Sequence, residues 1–178
     1  MIATTMAPRR AHAVMDSPVG PLTLVMADGV LTGLYMDVAE RMPRPEICGD
    51  GAAETDARFA APASQLRDYF AGRRTEFDLQ VGLEGTPFQR RVWAALQEIP
   101  FGETISYGEL AHRIGQRTAA RAVGLANGRN PISIIVPCHR VIGADGSLTG
   151  YGGGLARKQH LLAFERDVMA AGPLHSVS

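Results

Sequence analysis

The spacing of hydrophobic positions changes about halfway along this chain. Between residues 11 and 36 the apolar residues alternate with polar ones or run together in three short blocks, 11–16, 22–26 and 30–36. Ser17-Pro18-Val19-Gly20 and Ala27-Asp28-Gly29 separate the blocks, and such stretches favour turns. A small antiparallel sheet is expected. Residues 37–61 are largely polar, contain prolines and show no period, which reads as a loop with room for one short helix. Residues 62–71 place Leu66, Tyr69 and Phe70 at helical spacing, with Gly72 as a stop. Residues 76–81 offer one more strand to complete the sheet.

Beyond residue 85 the period becomes helical. Thr86-Pro87 starts a helix, because the hydroxyl caps free N–H groups and proline in the first turn has no N–H to leave unpaired. That helix runs to about Glu98 with Phe88, Val92, Trp93 and Leu96 on its apolar face, and Pro100 ends it. Two short helices follow, 107–114 and 118–127, joined by Gly115-Gln116-Arg117 in the manner of a helix-turn-helix. The second is built from small residues (Ala119, Ala120, Ala122, Gly124, Ala126), so its backbone can approach a partner closely while Arg121 projects. Two core helices packed through alanines fit the same pattern. Residues 132–136 form an apolar run that reads as a buried strand entering a loop. A last helix from Leu155 to about Phe164 turns Leu155, Leu161 and Leu162 inward, with Glu165 on the same side. The change of period places a subdomain boundary near residues 81–85. It divides the chain into 1–84, with 1–10 as a flexible tail, 85–170, and a tail at 171–178.

Composition narrows the class. With 46% hydrophobic and 20% charged residues in a chain of 178, this is the profile of a globular protein with a sizeable core. No apolar stretch approaches the length of a bilayer span, and the first ten residues lack the apolar core of a signal peptide, so a cytoplasmic address is expected. The two cysteines, Cys48 and Cys138, are expected as thiols rather than a disulfide. The five histidines form no cluster with metal-ligand spacing, and no metal is expected. Net charge is zero but uneven: residues 86–160 carry nine basic and four acidic side chains, residues 1–85 eight and twelve. A polyanion would meet the second half, although a solvated basic face gives the same imbalance.

The candidate chemistry lies in Pro137-Cys138-His139-Arg140, which sets a thiol beside an imidazole and a guanidinium. A base and positive charge both favour the thiolate, so Cys138 is expected to have a lowered pKa. A small core hydrophobe is the plainer reading of the same cysteine. Glu165, facing inward, needs either water at a frayed helix end or a buried donor such as His139. A carboxylate that orients an imidazole serving a thiol is a nucleophile-base-orienter chain.

With these residues assembled, the sequence resembles the O6-alkylguanine-DNA alkyltransferase family, also called the methylated-DNA:protein-cysteine methyltransferases, in its bacterial form without a fused phosphotriester-repair domain. The likeness runs from Gly85 to Glu165 through Phe101-Gly102-Glu103-Thr104, Ser106-Tyr107, Ala120-Arg121-Ala122-Val123-Gly124, Asn130-Pro131, Ile135-Val136-Pro137-Cys138-His139-Arg140-Val141 and Gly150-Tyr151-Gly152-Gly153-Gly154-Leu155. It continues more loosely through the turn Ser17-Pro18-Val19-Gly20-Pro21-Leu22. The resemblance implies an α+β fold: a small N-terminal antiparallel-sheet, ribonuclease H-like subdomain, then a mostly helical winged helix-turn-helix subdomain bearing the active site. It implies direct-reversal repair, in which Cys138 irreversibly accepts the alkyl group from O6 of guanine after base flipping, with O4-alkylthymine as a further candidate substrate.

In that scheme His139 acts as a base through a water molecule and Glu165 orients it. Tyr107 crowds the target phosphate and gives a proton to the departing guanine. Asn130 is a hinge, and Arg121 is the finger that fills the gap in the stack. Thr118, Ala119, Ala120, Gly124, Ala126, Asn127 and Arg129 complete the DNA-facing set, while Tyr107, Val141, Tyr151, Gly152 and Gly153 line the base pocket. The implied partner is double-stranded DNA approached through the minor groove, by a monomer with clustering along DNA left open, and no cofactor is implied.

Elementary chemistry agrees with this assignment. A soft thiolate suits displacement at a saturated carbon, the paired base must leave the duplex to be reached, and an inserted arginine offsets the unstacking. The product is a thioether, which water does not cleave, so one protein molecule is consumed for each lesion. The chain lacks the N-terminal zinc ligands that some members carry, and Cys48 stands in no motif. Two other readings differ in class: an alkyltransferase-like protein that binds the lesion without chemistry, and a cysteine hydrolase built on Cys138, His139 and Glu165.

Overall fold

The computed structural model describes residues 9–36 and 45–172. The expected tails and the first part of the loop expected from Asp37 lie largely outside these residues. Three strands open the fold: β1 (Arg10–Met15), β2 (Leu22–Ala27) and β3 (Val30–Met36). Adjacent strands pair antiparallel, with Ala13 opposite Leu24 and Leu24 opposite Leu34. Asp28 and Gly29, both at positive φ (49° and 84°), make the two-residue β2–β3 turn, the geometry that Asp-Gly favours between twisted strands. All six residues of β2 are buried, as a central strand covered on both faces requires. The short helix α1 (Pro45–Cys48) leads to β4 (Asp50–Gly51), which joins β1 in parallel to complete the order β3-β2-β1-β4.

The strand expected at 76–81 is not present. Val81 alone bridges Leu31 in parallel, with the Gly82 N–H donating to Leu31 O at 2.8 Å. Nearer its start, this segment is bound by a side chain: the Gln65 amide donates to Asp78 O and accepts from the Asp78 N–H, both at 2.9 Å. Gln65 belongs to α2 (Ala60–Phe70), which begins earlier than expected behind a 3-10 turn at Ala57–Phe59. Pro62 falls in its first turn, where a missing N–H costs nothing.

The second half is helical. In α3 (Pro87–Gln97) the Thr86 hydroxyl accepts from the Gln89 N–H at 3.2 Å and the Gln89 side chain accepts from the Thr86 N–H at 2.9 Å, a reciprocal cap. The pair β5 (Ile105–Ser106) and β6 (Val141–Ile142) forms a two-stranded parallel sheet beside α4 (Tyr107–Arg113) and α5 (Ala120–Gly128). Thr118 and Ala119 precede α5 rather than starting it. Trp93 of α3 is buried and donates its indole N–H to Ala126 O at 2.9 Å, fixing α5 against α3.

The run 132–136 is a compact turn, not a strand. Only Ile132 bridges the sheet, in parallel with Leu34. The last helix, α6 (Leu155–Ala171), is longer than expected, and Leu155 at its start is 50% exposed rather than inward. One core joins the halves, running from Leu24, Leu34 and Phe59 to Leu96, Ile99, Val136 and Leu161. Full burial of each such side chain contributes roughly 1.5–3 kcal/mol.

Candidate active site

The backbone that delivers Cys138 is strained and pinned. Ile134 has φ +69°, rare for a β-branched residue, and the Ile135 N–H donates to Ser133 O at 2.8 Å across it, closing a tight γ-turn. Asn130 holds the turn: its amide donates to Val136 O at 2.8 Å and Ile132 O at 3.3 Å, and its oxygen accepts from the Ile132 N–H at 3.0 Å. Pro137 leads into a 3-10 turn, Cys138–Arg140, whose three side chains are all buried. The Asn127 amide of α5 reaches the Cys138 carbonyl at 3.3 Å. Two asparagines therefore tie α5 and its exit to the segment carrying the thiol.

Behind the thiol stands one fully buried carboxylate. Glu165 Oε1 accepts from His139 Nε2, the Tyr69 hydroxyl and Arg140 Nη2, each at 2.8 Å. Its Oε2 accepts from Arg140 Nε at 2.9 Å and the Gly102 N–H at 3.0 Å. Gly102 has φ +78°, and a Cβ there would sit 2.6 Å from Met169, so a side chain would be strained and crowded at once. Burial alone would raise the Glu165 carboxyl, but hydrogen bonds and charge from His139 and Arg140 outweigh it and hold the group well below the usual carboxylate range. The His139 pKa is lowered as well: burial disfavours the charged ring, and Arg140 and Lys158 add to this against the pull of Glu165, so the neutral imidazole is favoured. Since Nε2 donates to the carboxylate, Nδ1 carries the lone pair, and it has no hydrogen-bond partner among the described residues.

Two expectations about the thiol need correction. Cys138 does not have a lowered pKa: with 4% of its surface exposed, burial pushes it up, only partly opposed by a hydrogen bond with Asn130 and the charge of Lys158. Nor is Arg140 the cation that serves it. Its guanidinium is committed to Glu165 and to Ile99 O, the latter at 2.6 Å. The positive group coupled to the thiol is Lys158 of α6, which is fully buried and which the sequence reading passed over. Lys158 Nζ donates to Val141 O at 2.5 Å and Thr149 O at 3.0 Å and lies 5.8 and 6.0 Å from the ring centres of Tyr107 and Tyr151. Burial lowers its pKa to about 8.

The remaining predicted residues fall into two groups. Tyr107 is half-buried at the start of α4 and donates its hydroxyl to Thr149 O at 2.8 Å, so Tyr107 and Lys158 share one acceptor. Burial raises the Tyr107 phenol. Val141 and Tyr151 are buried, and the Tyr151 hydroxyl points to Met36 Sδ at 3.8 Å. Gly152 and Gly153 line a cleft of about 300 Å³ with Asn130, Ser133, Tyr35 and Met36. On the outer side, Thr118, Arg121 and Arg129 are exposed, and Ala119, Ala120 and Gly124 are half-buried. A Cβ on Gly124 would lie 3.7 Å from the Tyr107 ring, so this glycine brings α5 close to that ring. Ala126 and Asn127, expected on the DNA side, instead face inward. Leu125, which the sequence reading did not single out, is 63% exposed one turn beyond Arg121.

Neither Cys48 nor Cys138 forms a disulfide. Among the described residues no three His, Cys, Asp or Glu side chains are placed to hold a metal ion, and no helix is long and apolar enough to cross a membrane.

A buried thiol is followed in the chain by an imidazole bound to a buried carboxylate, and both halves of the chain match one family. Residues 87–167 match the DNA binding domain of 6-O-methylguanine DNA methyltransferase, and residues 11–83 match its ribonuclease-like domain. The chain belongs to the 6-O-methylguanine DNA methyltransferase family. Its relatives include the methylated-DNA–protein-cysteine methyltransferase of Mycolicibacterium paratuberculosis, 59% identical over 87% of this chain and 92% of that protein. The enzyme of the same name from Methanosarcina acetivorans is 50% identical over 86% and 97%. Among solved structures, the Mycobacterium tuberculosis O6-methylguanine methyltransferase superposes with a TM-score of 0.80 at 53% identity, covering 89% of this chain and 93% of the other. Mycobacterium tuberculosis OGT in complex with DNA gives 0.80 at 55% identity, covering 89% and 94%.

Within this methyltransferase family fold, the residues missed by sequence reasoning are Lys158, Tyr69 and Gly102. Lys158 sits in the polar string Ala156-Arg157-Lys158-Gln159-His160, where nothing marks it as buried. Tyr69 reads only as a core aromatic until Glu165 is found against its hydroxyl.

Proposed function

We propose that this protein performs direct-reversal DNA repair, moving the methyl group of O6-methylguanine in double-stranded DNA onto Cys138 in a single irreversible turnover. The names of its relatives support methyl transfer from DNA to a protein cysteine. The observation that carries the assignment to Cys138 is the relay behind it, a buried thiol followed by His139 with its Nε2 committed to Glu165.

His139 Nδ1, through an intervening water, takes the proton of the Cys138 thiol. The thiolate attacks the saturated carbon from the side opposite oxygen, the C–S bond forms as the C–O bond breaks, and the electron pair leaves with guanine O6. Tyr107 gives its proton to the guanine ring as that charge develops. Lys158 supplies the counter-charge that makes a thiolate affordable at a buried position. The thioether product has no carbonyl for water to attack, so turnover ends there.

On the outer face, α5 enters the minor groove. Arg121 fills the space left by the flipped base, Leu125 adds an apolar contact beside it, and Thr118 and Arg129 meet the backbone. Asn130 is the hinge between this helix and the thiol, and Tyr107, Val141, Tyr151, Gly152 and Gly153 form the base pocket. Residues 1–84 act as scaffold, 85–170 as the DNA-binding and acceptor unit, with a tail at 171–178. We assign the protein to the cytoplasm, working as a monomer.

Intact mass spectrometry tests the reading. After mixing with a duplex containing O6-methylguanine, the protein gains the mass of one methyl group, and peptide mapping places it on Cys138. Cys138→Ala binds the same duplex and gains nothing. Tight binding by the wild-type chain with no mass change would establish a lesion-binding protein without chemistry, and continuous hydrolysis of an ester would establish a hydrolase.

A further inference from the structure

We infer that Tyr69 is a positioning residue for the nucleophile relay, its buried hydroxyl setting the charge and aim of Glu165 and, through Glu165, the tautomer of His139. This rests on the repair reading above and adds a residue from the N-terminal half of the chain to the machinery around Cys138.

The geometry is specific. Tyr69 belongs to α2, is fully buried, and lies 96 positions from the carboxylate it serves. Its ring is held by Phe70, Phe77, Phe101 and Phe164, at centroid distances of 5.1, 5.4, 5.8 and 5.4 Å. Phenylalanine would satisfy that packing equally well, so the hydroxyl is the informative atom. It donates at 2.8 Å to Oε1, the same oxygen that receives the His139 Nε2 proton at 2.8 Å. Burial first, and the adjacent Glu165 charge second, push the phenol well above its ordinary pKa, so the hydroxyl keeps its proton and remains a donor throughout the working pH range.

A donor on Oε1 withdraws negative charge from the atom that faces the imidazole. Remove it, and the carboxylate pulls harder on the ring, favouring the imidazolium, whose Nδ1 is protonated and no longer accepts. Tyr69 thus tempers Glu165 so that the acid orients His139 without charging it. The other groups facing this pair are Arg140 from the same 3-10 turn, Lys158 from α6, Cys138, and Tyr151 from the loop before α6. Arg140 and Lys158 disfavour the imidazolium, and Tyr69 acts in the same sense while carrying no charge.

The test uses the full chain in three forms: wild type, Tyr69→Phe, and a protein with 3-fluorotyrosine placed at position 69 alone. The fluorinated side chain keeps the shape and strengthens the donor, so it reports even if Tyr69→Phe folds poorly. Single-turnover transfer from an O6-methylguanine duplex is followed as pH falls, beside thermal unfolding and an NMR titration of the His139 ring nitrogens. For Tyr69→Phe the acid limb and the His139 titration both move to higher pH by about half a unit or more, a fraction of one charge-assisted hydrogen bond. For the fluorinated protein both move to lower pH. If Tyr69→Phe only lowers the unfolding temperature and leaves the acid limb and the ring titration where they were, the hydroxyl is packing and the inference fails. If the wild-type protein transfers nothing, the repair reading fails, and the ring titration still decides the role of Tyr69.

Discussion

Cys138 is followed in sequence by a histidine and an arginine, yet its electrostatic partner is Lys158, twenty positions further on and reached only through the fold. Arg140, two positions after the thiol, is committed to Glu165. Lys158→Met keeps most of the stem volume and removes the charge. Single-turnover transfer at neutral pH is expected to fall about tenfold, the value of one unit in the thiol pKa, and the rising limb of the pH–rate curve to move to higher pH. The same lysine leaves a mark on stability. Its pKa is near 8 folded and ordinary when unfolded, so between those values the unfolded chain binds more protons and stability rises with pH. Urea unfolding at neutral and alkaline pH should show this rise in the wild type and lose it in Lys158→Met.

At the level of elements, what the sequence revealed depended on how local the cause was. The strands β1 to β3, the cap of α3 and the helix pair α4 and α5 follow from period-two alternation, an Asp-Gly turn and Thr86-Pro87, and each formed close to where those signals place it. The run 132–136 failed because a short, mostly apolar run reads alike whether it makes a strand or a buried γ-turn, and Asn130, which decides between them, acts through its side chain. The segment 76–81 failed because Gln65 on another element took hydrogen bonds a strand would have used. The outer face of α5 carries the element-scale prediction. Arg121 is exposed on α5, so Arg121→Ala should slow repair in duplex DNA at least about tenfold, equivalent to roughly 1.4 kcal/mol of lost unstacking compensation. It should leave the reaction with free O6-benzylguanine unchanged, and equal losses on both substrates would remove the finger role.

For the whole molecule, the change of hydrophobic period was enough to foresee a sheet half and a helical half, but not the knot that joins them. Tyr69, Gly102 and the adjacent pair His139 and Arg140 come from three separate places in the chain and meet on Glu165. Glu165→Gln would leave the Arg140 charge buried without a counter-ion, and denaturant unfolding should report a loss of about 3–5 kcal/mol. Because Glu165 titrates well below the ordinary carboxylate range, its contribution is complete above that range and is lost only as pH falls beneath it. The variant should lack that part of the acid-denaturation curve. The enclosure of Cys138 has one further result. An accessible thiolate is steadily lost to peroxides and stray electrophiles, whereas a protonated sulfur with 4% of its surface open is chemically quiet. A molecule that can be used only once keeps longest in that form, with its single charge of reactivity held in storage until the substrate itself arrives.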